Sequence, residues 1–193
     1  MPKDQPVQLP IESSEIAMHG KIWDVVRERF VYGSESLTRE FVAHPGAVAV
    51  VAFDEEQRVL LIRQYRHPVR SYLWEIPAGL LDVTGESLET AARRELLEET
   101  GYEAEELTLL TRFMTTPGGN SEVIYIYLAQ GLKHVGYELG LSGEEVDMQV
   151  EWFPLPEVLD SVLSADMQSP SAVVGVMALA HKLGMTGGTT TVG

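Results

Sequence analysis

A chain of 193 residues with 45% hydrophobic and 22% charged side chains can bury one good core and leaves room for one domain plus an extension. No apolar run approaches the roughly 18 residues needed to cross a bilayer, and the start MPKDQPVQLP lacks the basic and apolar stretches of a secretory signal, so a soluble, cytoplasmic protein is expected. The net charge of −15 sets the surface against nucleic acid and anionic membranes, and zero cysteines exclude disulfides, thiolate metal sites and thiol nucleophiles.

In chain order, residues 1–14 are polar and read as a flexible lead-in. Lys21 to Val42 predicts two strands joined by a Gly/Ser turn, and AVAVVAF (47–53) with RVLLIRQY (58–65) predicts a buried hairpin. A helix is expected over Ser87 to Thr100, with Ser87 as N-cap, Glu89 in the first turn and Gly101 as the C-terminal stop. TLLTRFM and VIYIYLAQ read as strands around the loop TTPGGNSE, followed by an acidic loop near Ser142 to Asp147 and a strand at QVEWFP. Helices near Pro156 to Leu163 and Ser171 to Leu183 precede a weakly apolar tail from Gly184. Mixed strands before terminal helices predict an α+β or layered α/β/α unit rather than a doubly wound parallel sheet.

The helix carries a conflict. On a wheel of about 100° per residue, Ala91, Ala92 and Leu96 share the face of Leu88, yet Glu95 and Glu99 fall within about 20° of Leu88 and Glu98 lies at the edge of the same stripe. Buried carboxylates need protonation, cationic partners or a metal. Ion pairs with Arg93, Arg94 or a distant arginine are one answer, and an open, wet face is another. Alternatively, Glu95 and Glu99 one turn apart, with Glu98 beside them, surround an oxygen-loving divalent cation, Mg²⁺ or Mn²⁺ rather than zinc, since no cysteine or nearby histidine is present. Such a cation would also let an acidic protein receive a polyanion such as a diphosphate.

The stretch GLLDVTGESLETAARRELLEETGY, Gly79 to Tyr102, resembles the Nudix box through Gly79, Glu86, Arg94, Glu95, Leu96, Glu98, Glu99 and Gly101. It departs from the family pattern in having six residues rather than five between Gly79 and Glu86, and a tyrosine at the last apolar position. Pro117 after the box, and RQYRHPVRSYLWEIPAG before it, look like the ADP-ribose pyrophosphatase branch of that family. The resemblance implies a Nudix α/β/α sandwich with a mixed sheet at residues 44–185, preceded by a small antiparallel β element at 1–43 and followed by a flexible tail at 186–193. It implies metal on Glu95, Glu98, Glu99 and the Ala78 carbonyl, with Glu86 and Arg94 tying the loop to the helix. Glu144, or else Glu145, in LSGEEVDM matches the glutamate that removes a proton from the attacking water, with Glu98 assisting at the catalytic centre.

Arg66 matches an arginine on the substrate's phosphates or terminal ribose, and Glu122 a position used for adenine, on which Trp23, Phe30 or Tyr32 could stack. The implied reaction is metal-dependent cleavage of ADP-ribose to AMP and ribose 5-phosphate by a homodimer whose N-terminal strand pair resembles a swapped dimerisation element. Another nucleoside diphosphate sugar, or a nucleotide sensor without catalysis, is the alternative; a calcium-stabilised structural protein would want an acidic loop instead of a helix. The histidines His19, His44, His67, His134 and His181 suggest no triad and read as surface or core fillers.

Overall fold

The structure is a computed structural model and describes residues 1–136 and 148–185. The chain forms two compact units, one of residues 1–45 with 114–122, the other of residues 46–113 with the described residues from 123 onward.

In the first unit, β1 (Ile11–Met18), β2 (Asp24–Tyr32) and β3 (Glu35–Ala43) make an antiparallel sheet in that order. The Gly33–Ser34 turn closes β2 on β3 with Tyr32 opposite Glu35, as the turn residues predict. β1 corrects the sequence reading, which leaves residues 1–14 as a lead-in. All eight of its residues are exposed, so no burial pattern announces it. What orders it is its backbone pairing with β2, from Ile11 opposite Phe30 to Met18 opposite Val25, and a cross-strand ladder of Arg27 to Glu15 at 2.9 Å and Arg29 to Glu12 at 2.7 Å. The loop after the box joins this unit: the Val42 N–H donates to the Gly119 carbonyl and the Ser121 N–H to that of Val42.

The second unit is built around β4 (Ala47–Ala52), whose six residues are all buried. A strand covered on both faces reads as a continuous apolar run, because its period-2 alternation is apolar on both sides. Val48, Val50 and Ala52 pack with Ala91, Ala92 and Leu96 of α1 (Leu88–Thr100). Ala47, Ala49 and Val51 pack on the other face, with Leu155 and Val158 of α2 (Leu155–Leu163) and Val176 and Leu179 of α3 (Pro170–Lys182). The result is helix, sheet, helix, as expected for an α/β/α sandwich with mixed strands.

The expected hairpin of residues 47–53 with 58–65 does not form. β5 (Arg58–Arg66) pairs with β6 (Ser71–Glu75) and β10 (Gln149–Pro154), and only a single bridge, Phe53 to Val59, links the two predicted partners. β4 instead lies antiparallel to β7 (Ala78–Leu80) and parallel to β9 (Val123–His134), with β8 (Tyr102–Met114) beyond β9. Each central strand needs two neighbours, and an apolar run does not say which strands these are. The sequence does not announce β6 and β7 either, since both are short and Pro77 stands between them. No helix among the described residues is long and apolar enough to cross a membrane.

Candidate active site

The site grows from the two ends of α1. The Ser87 Oγ accepts the Thr90 N–H at 3.1 Å and starts the helix; Gly101, at φ 71°, stops it by donating its N–H to the Leu97 carbonyl. These ends set the phase that turns the box carboxylates toward β7. Glu99 is only 8% exposed and accepts the Ala78 N–H at 2.8 Å. Burial pushes its carboxyl up to about 8, helped by the charges of Glu95 and Glu75 and opposed by the Ala78 N–H and by Arg66. Glu99 has no ion pair among the described residues.

Glu95 stands one turn before it, half-buried, its carboxyl raised by burial and partly restored by Arg94. A Cβ placed on Gly79 would overlap the Glu95 carboxylate, so the box glycine is a close-approach glycine, needed because it leaves the space that this carboxylate fills.

Arg94 organises the remainder. Its Nε and Nη2 each donate to Glu86 at 3.0 Å, and its Nη1 donates to Glu95 at 2.6 Å and Glu98 at 3.2 Å. The guanidinium holds Glu86 below the usual carboxylate range and is itself shifted upward, chiefly by its hydrogen bonds to Glu86. The extra residue between Gly79 and Glu86 is taken up within the loop, where the Glu86 N–H donates to the Val83 carbonyl, and Glu86 still reaches Arg94. Arg93 turns away, to Glu89 and to the Ala104 carbonyl. The ion-pair alternative for the helix therefore describes Glu95 and Glu98 but not Glu99.

Ala78, Glu95, Glu98 and Glu99 are thus brought together, and Arg66 is near enough to influence Glu99. Arg66 ends β5 and forks onto Glu75, a residue the sequence reading passed over. A signal was present: a carboxylate inside the apolar run YLWEIP, which is 5% exposed in the fold and has an arginine on the facing strand.

Pro117 and Glu122 belong to the first unit. Glu122 accepts the Thr115 hydroxyl at 2.7 Å and lies 3.3 Å from Nε2 of His44. Trp23 stacks on His44 with ring centroids 4.5 Å apart. His44 is a core position, its side chain 4% exposed, and it meets the loop that carries Pro117 through Glu122 and through its backbone N–H, which donates to the Ser121 Oγ. Of the other aromatics considered for base stacking, Phe30 is half-buried and Tyr32 exposed. Glu144 and Glu145 lie outside the described residues.

Among the described residues, no three acidic or histidine side chains converge as a finished metal cage. The donor chemistry nonetheless fits a hard divalent cation. Glu95, Glu98 and Glu99 offer only oxygen, and Glu99 is buried with a single backbone donor where an ionised carboxylate calls for a cation.

A capped helix that sets Glu99 on the Ala78 N–H and Glu95 and Glu98 on Arg94, on one face of an α/β/α core, defines a carboxylate site whose donors suit a hard divalent cation. The NUDIX domain model matches residues 43–172. The chain is 40% identical over 168 residues to the ADP-ribose pyrophosphatase of Mycobacterium tuberculosis (strain ATCC 25618 / H37Rv), covering 86% of this chain and 81% of that one. It is 39% identical over 150 residues to the methanol dehydrogenase activator of Bacillus methanolicus, covering 75% and 80%. Among solved structures, an ADP compounds hydrolase superposes with a TM-score of 0.76 at 24% identity, over 95% of this chain and 100% of the other, a likeness of fold. The chain belongs to the Nudix family and is a Nudix hydrolase. Nudix hydrolases in general depend on divalent metal.

Proposed function

We propose that this protein hydrolyses the pyrophosphate bond of ADP-ribose to AMP and ribose 5-phosphate, with Mg²⁺ as its cofactor and Mn²⁺ as a substitute. The observation that carries the reading is Glu99, a buried carboxylate without an ion pair among the described residues, beside Glu95 on the box helix of a Nudix domain. The choice of ADP-ribose is supported by the 40% identical relative of that name. Glu95, Glu98, Glu99 and the Ala78 carbonyl would hold the cation, which when bound supplies charge neutralisation for the diphosphate and activation of water.

The chain's own residues carry the rest. Arg94, forked onto Glu86, anchors the loop before the helix and keeps Glu95 and Glu98 turned inward. Arg66 offers its guanidinium to the phosphates or the terminal ribose. Glu144, with Glu145 second, is assigned the proton of the attacking water on the strength of the family resemblance. Glu122, near Pro117, is assigned to the adenine; with Thr115 and His44 already at its two oxygens, it would use its remaining lone pairs for the base. A cytoplasmic homodimer formed through residues 1–43 completes the reading, supported by the absence of cysteine and by the exposed Ile11, Ile16 and Met18 of β1.

The deciding experiment is product analysis with ADP-ribose and Mg²⁺, beside ADP-glucose as a second substrate and Glu99→Gln as control. Metal-dependent AMP and ribose 5-phosphate, lost in the control, are expected. Cleavage of ADP-glucose alone would keep the chemistry and overturn the substrate; nucleotide binding without cleavage would make the protein a sensor.

A further inference from the structure

The hairpin of β5 and β6 holds a partly buried ion pair whose acidic member, Glu75, the functional reading leaves without a role. Ile62 stands opposite Glu75, Gln64 opposite Leu73 and Arg66 opposite Ser71. Side chains of Ile62, Gln64 and Arg66 share one face, and Glu75, opposite Ile62, shares it too. Glu75 lies four residues, about 13 Å, along the strand direction from Arg66, so the two side chains reach toward each other and meet over Gln64. Its Nε donates to one carboxylate oxygen of Glu75 at 3.0 Å and its Nη2 to the other at 2.7 Å, while Nε2 of Gln64 lies 3.5 Å from the second oxygen.

The pair is asymmetric. The Glu75 side chain is 6% exposed and that of Arg66 41% exposed. A carboxylate buried this deeply gains little for stability, since apolar residues of similar volume often serve a fold as well. What the arrangement provides is a half-exposed guanidinium with a fixed plane, and plane is what matters when a guanidinium meets phosphate oxygens through paired N–H groups. The pair also lies within electrostatic reach of the box helix, where Arg66 favours the ionised form of Glu99 and Glu75 opposes it.

We infer that Glu75 is a positioning residue: its buried carboxylate holds the Arg66 guanidinium in the orientation that receives the substrate's diphosphate. The inference rests on the proposed hydrolysis of a nucleoside diphosphate sugar. Glu75 itself has no contact with the reacting atoms; it acts through Arg66.

The test is steady-state kinetics with ADP-ribose and Mg²⁺ on wild type, Glu75→Gln, Glu75→Asp, Arg66→Ala and the Arg66→Ala/Glu75→Gln double variant, with Tm measured for each. Glutamine keeps the volume but sets an amide N–H against one of the arginine's donors. It should raise KM about tenfold or more while changing kcat less, the effect of losing a charge-assisted fork. Glu75→Asp, which keeps the charge on a shorter arm, should recover part of that loss. The double variant should be no worse than Arg66→Ala alone, because Glu75 has nothing to position once the guanidinium is gone.

A Glu75→Gln enzyme with wild-type KM and only a lowered Tm, or losses that add in the double variant, would overturn the role. Should Glu75→Gln not fold, Glu75→Asp in the wild-type and Arg66→Ala backgrounds decides the matter in the same way: coupling supports positioning and additivity refutes it. A wild type that cleaves no nucleoside diphosphate sugar takes down the functional reading and this role together, whereas an active wild type without the coupling removes this role alone.

Discussion

Glu99 combines a cost of burial with the metal-binding role proposed for it. Its carboxyl is displaced upward to about 8 by burial, from an unfolded value near 4.5, so without metal the folded state holds this proton more tightly than the unfolded chain. The associated stability is fully present below about 4.5 and is lost as pH rises through about 8. Metal-free protein should therefore show a Tm that falls from pH 5 to pH 8.5, and Glu99→Gln should flatten that slope. An unchanged slope in the variant would show that other groups carry it. Glu86 contributes with the opposite sign in a different window: Arg94 holds its carboxyl low, and that stability is lost as pH falls through its folded pKa. A divalent cation competes with the proton for Glu99, so its stabilising effect should grow with pH across the same range.

Among the elements, the approach of β7 to α1 matters most. Ala78 and Gly79 run antiparallel to Ala49 and Val48 of the buried strand, and the gap left by Gly79 is filled by the Glu95 carboxylate. Gly79→Ala should displace that carboxylate and lower kcat/KM about a hundredfold, with a much smaller loss of Tm, since small misplacements of catalytic groups cost on this scale. Kinetics beside thermal denaturation check it; parallel losses would mean that the glycine serves the fold rather than the site. The helix and its caps were legible from Ser87 to Gly101, because caps and 3.6-residue periodicity are local signals. β1 was not, since its order comes from pairing and cross-strand charges on a fully exposed strand. The partner of β4 was not either, since its apolar run satisfies any buried neighbour.

For the whole molecule, a net charge of −15 would repel a diphosphate unless the site supplies cations; the chain sets Arg66 and Arg94 among its carboxylates, and the proposed metal would add to them. The exposed Ile11, Ile16 and Met18 of β1 argue for burial against a second copy. Light scattering should give a mass twice the 21.3 kDa of one chain, and Ile11→Lys with Ile16→Lys should halve it. A wild-type monomer would refute the homodimer and leave the chemistry of the box untouched. By itself the sequence determined the box helix, its caps and the carboxylates on its buried stripe, because each is written in residues within a few turns of one another, and the layered class of the fold, because the order of local elements implies it. Only the tertiary structure decided that β4 lies between β7 and β9, that Glu75 clamps Arg66, that His44 meets Glu122, and that among the described residues Glu95 but not Glu99 forms an ion pair with an arginine. These depend on strands and loops far apart in the chain, whose meeting no local pattern encodes.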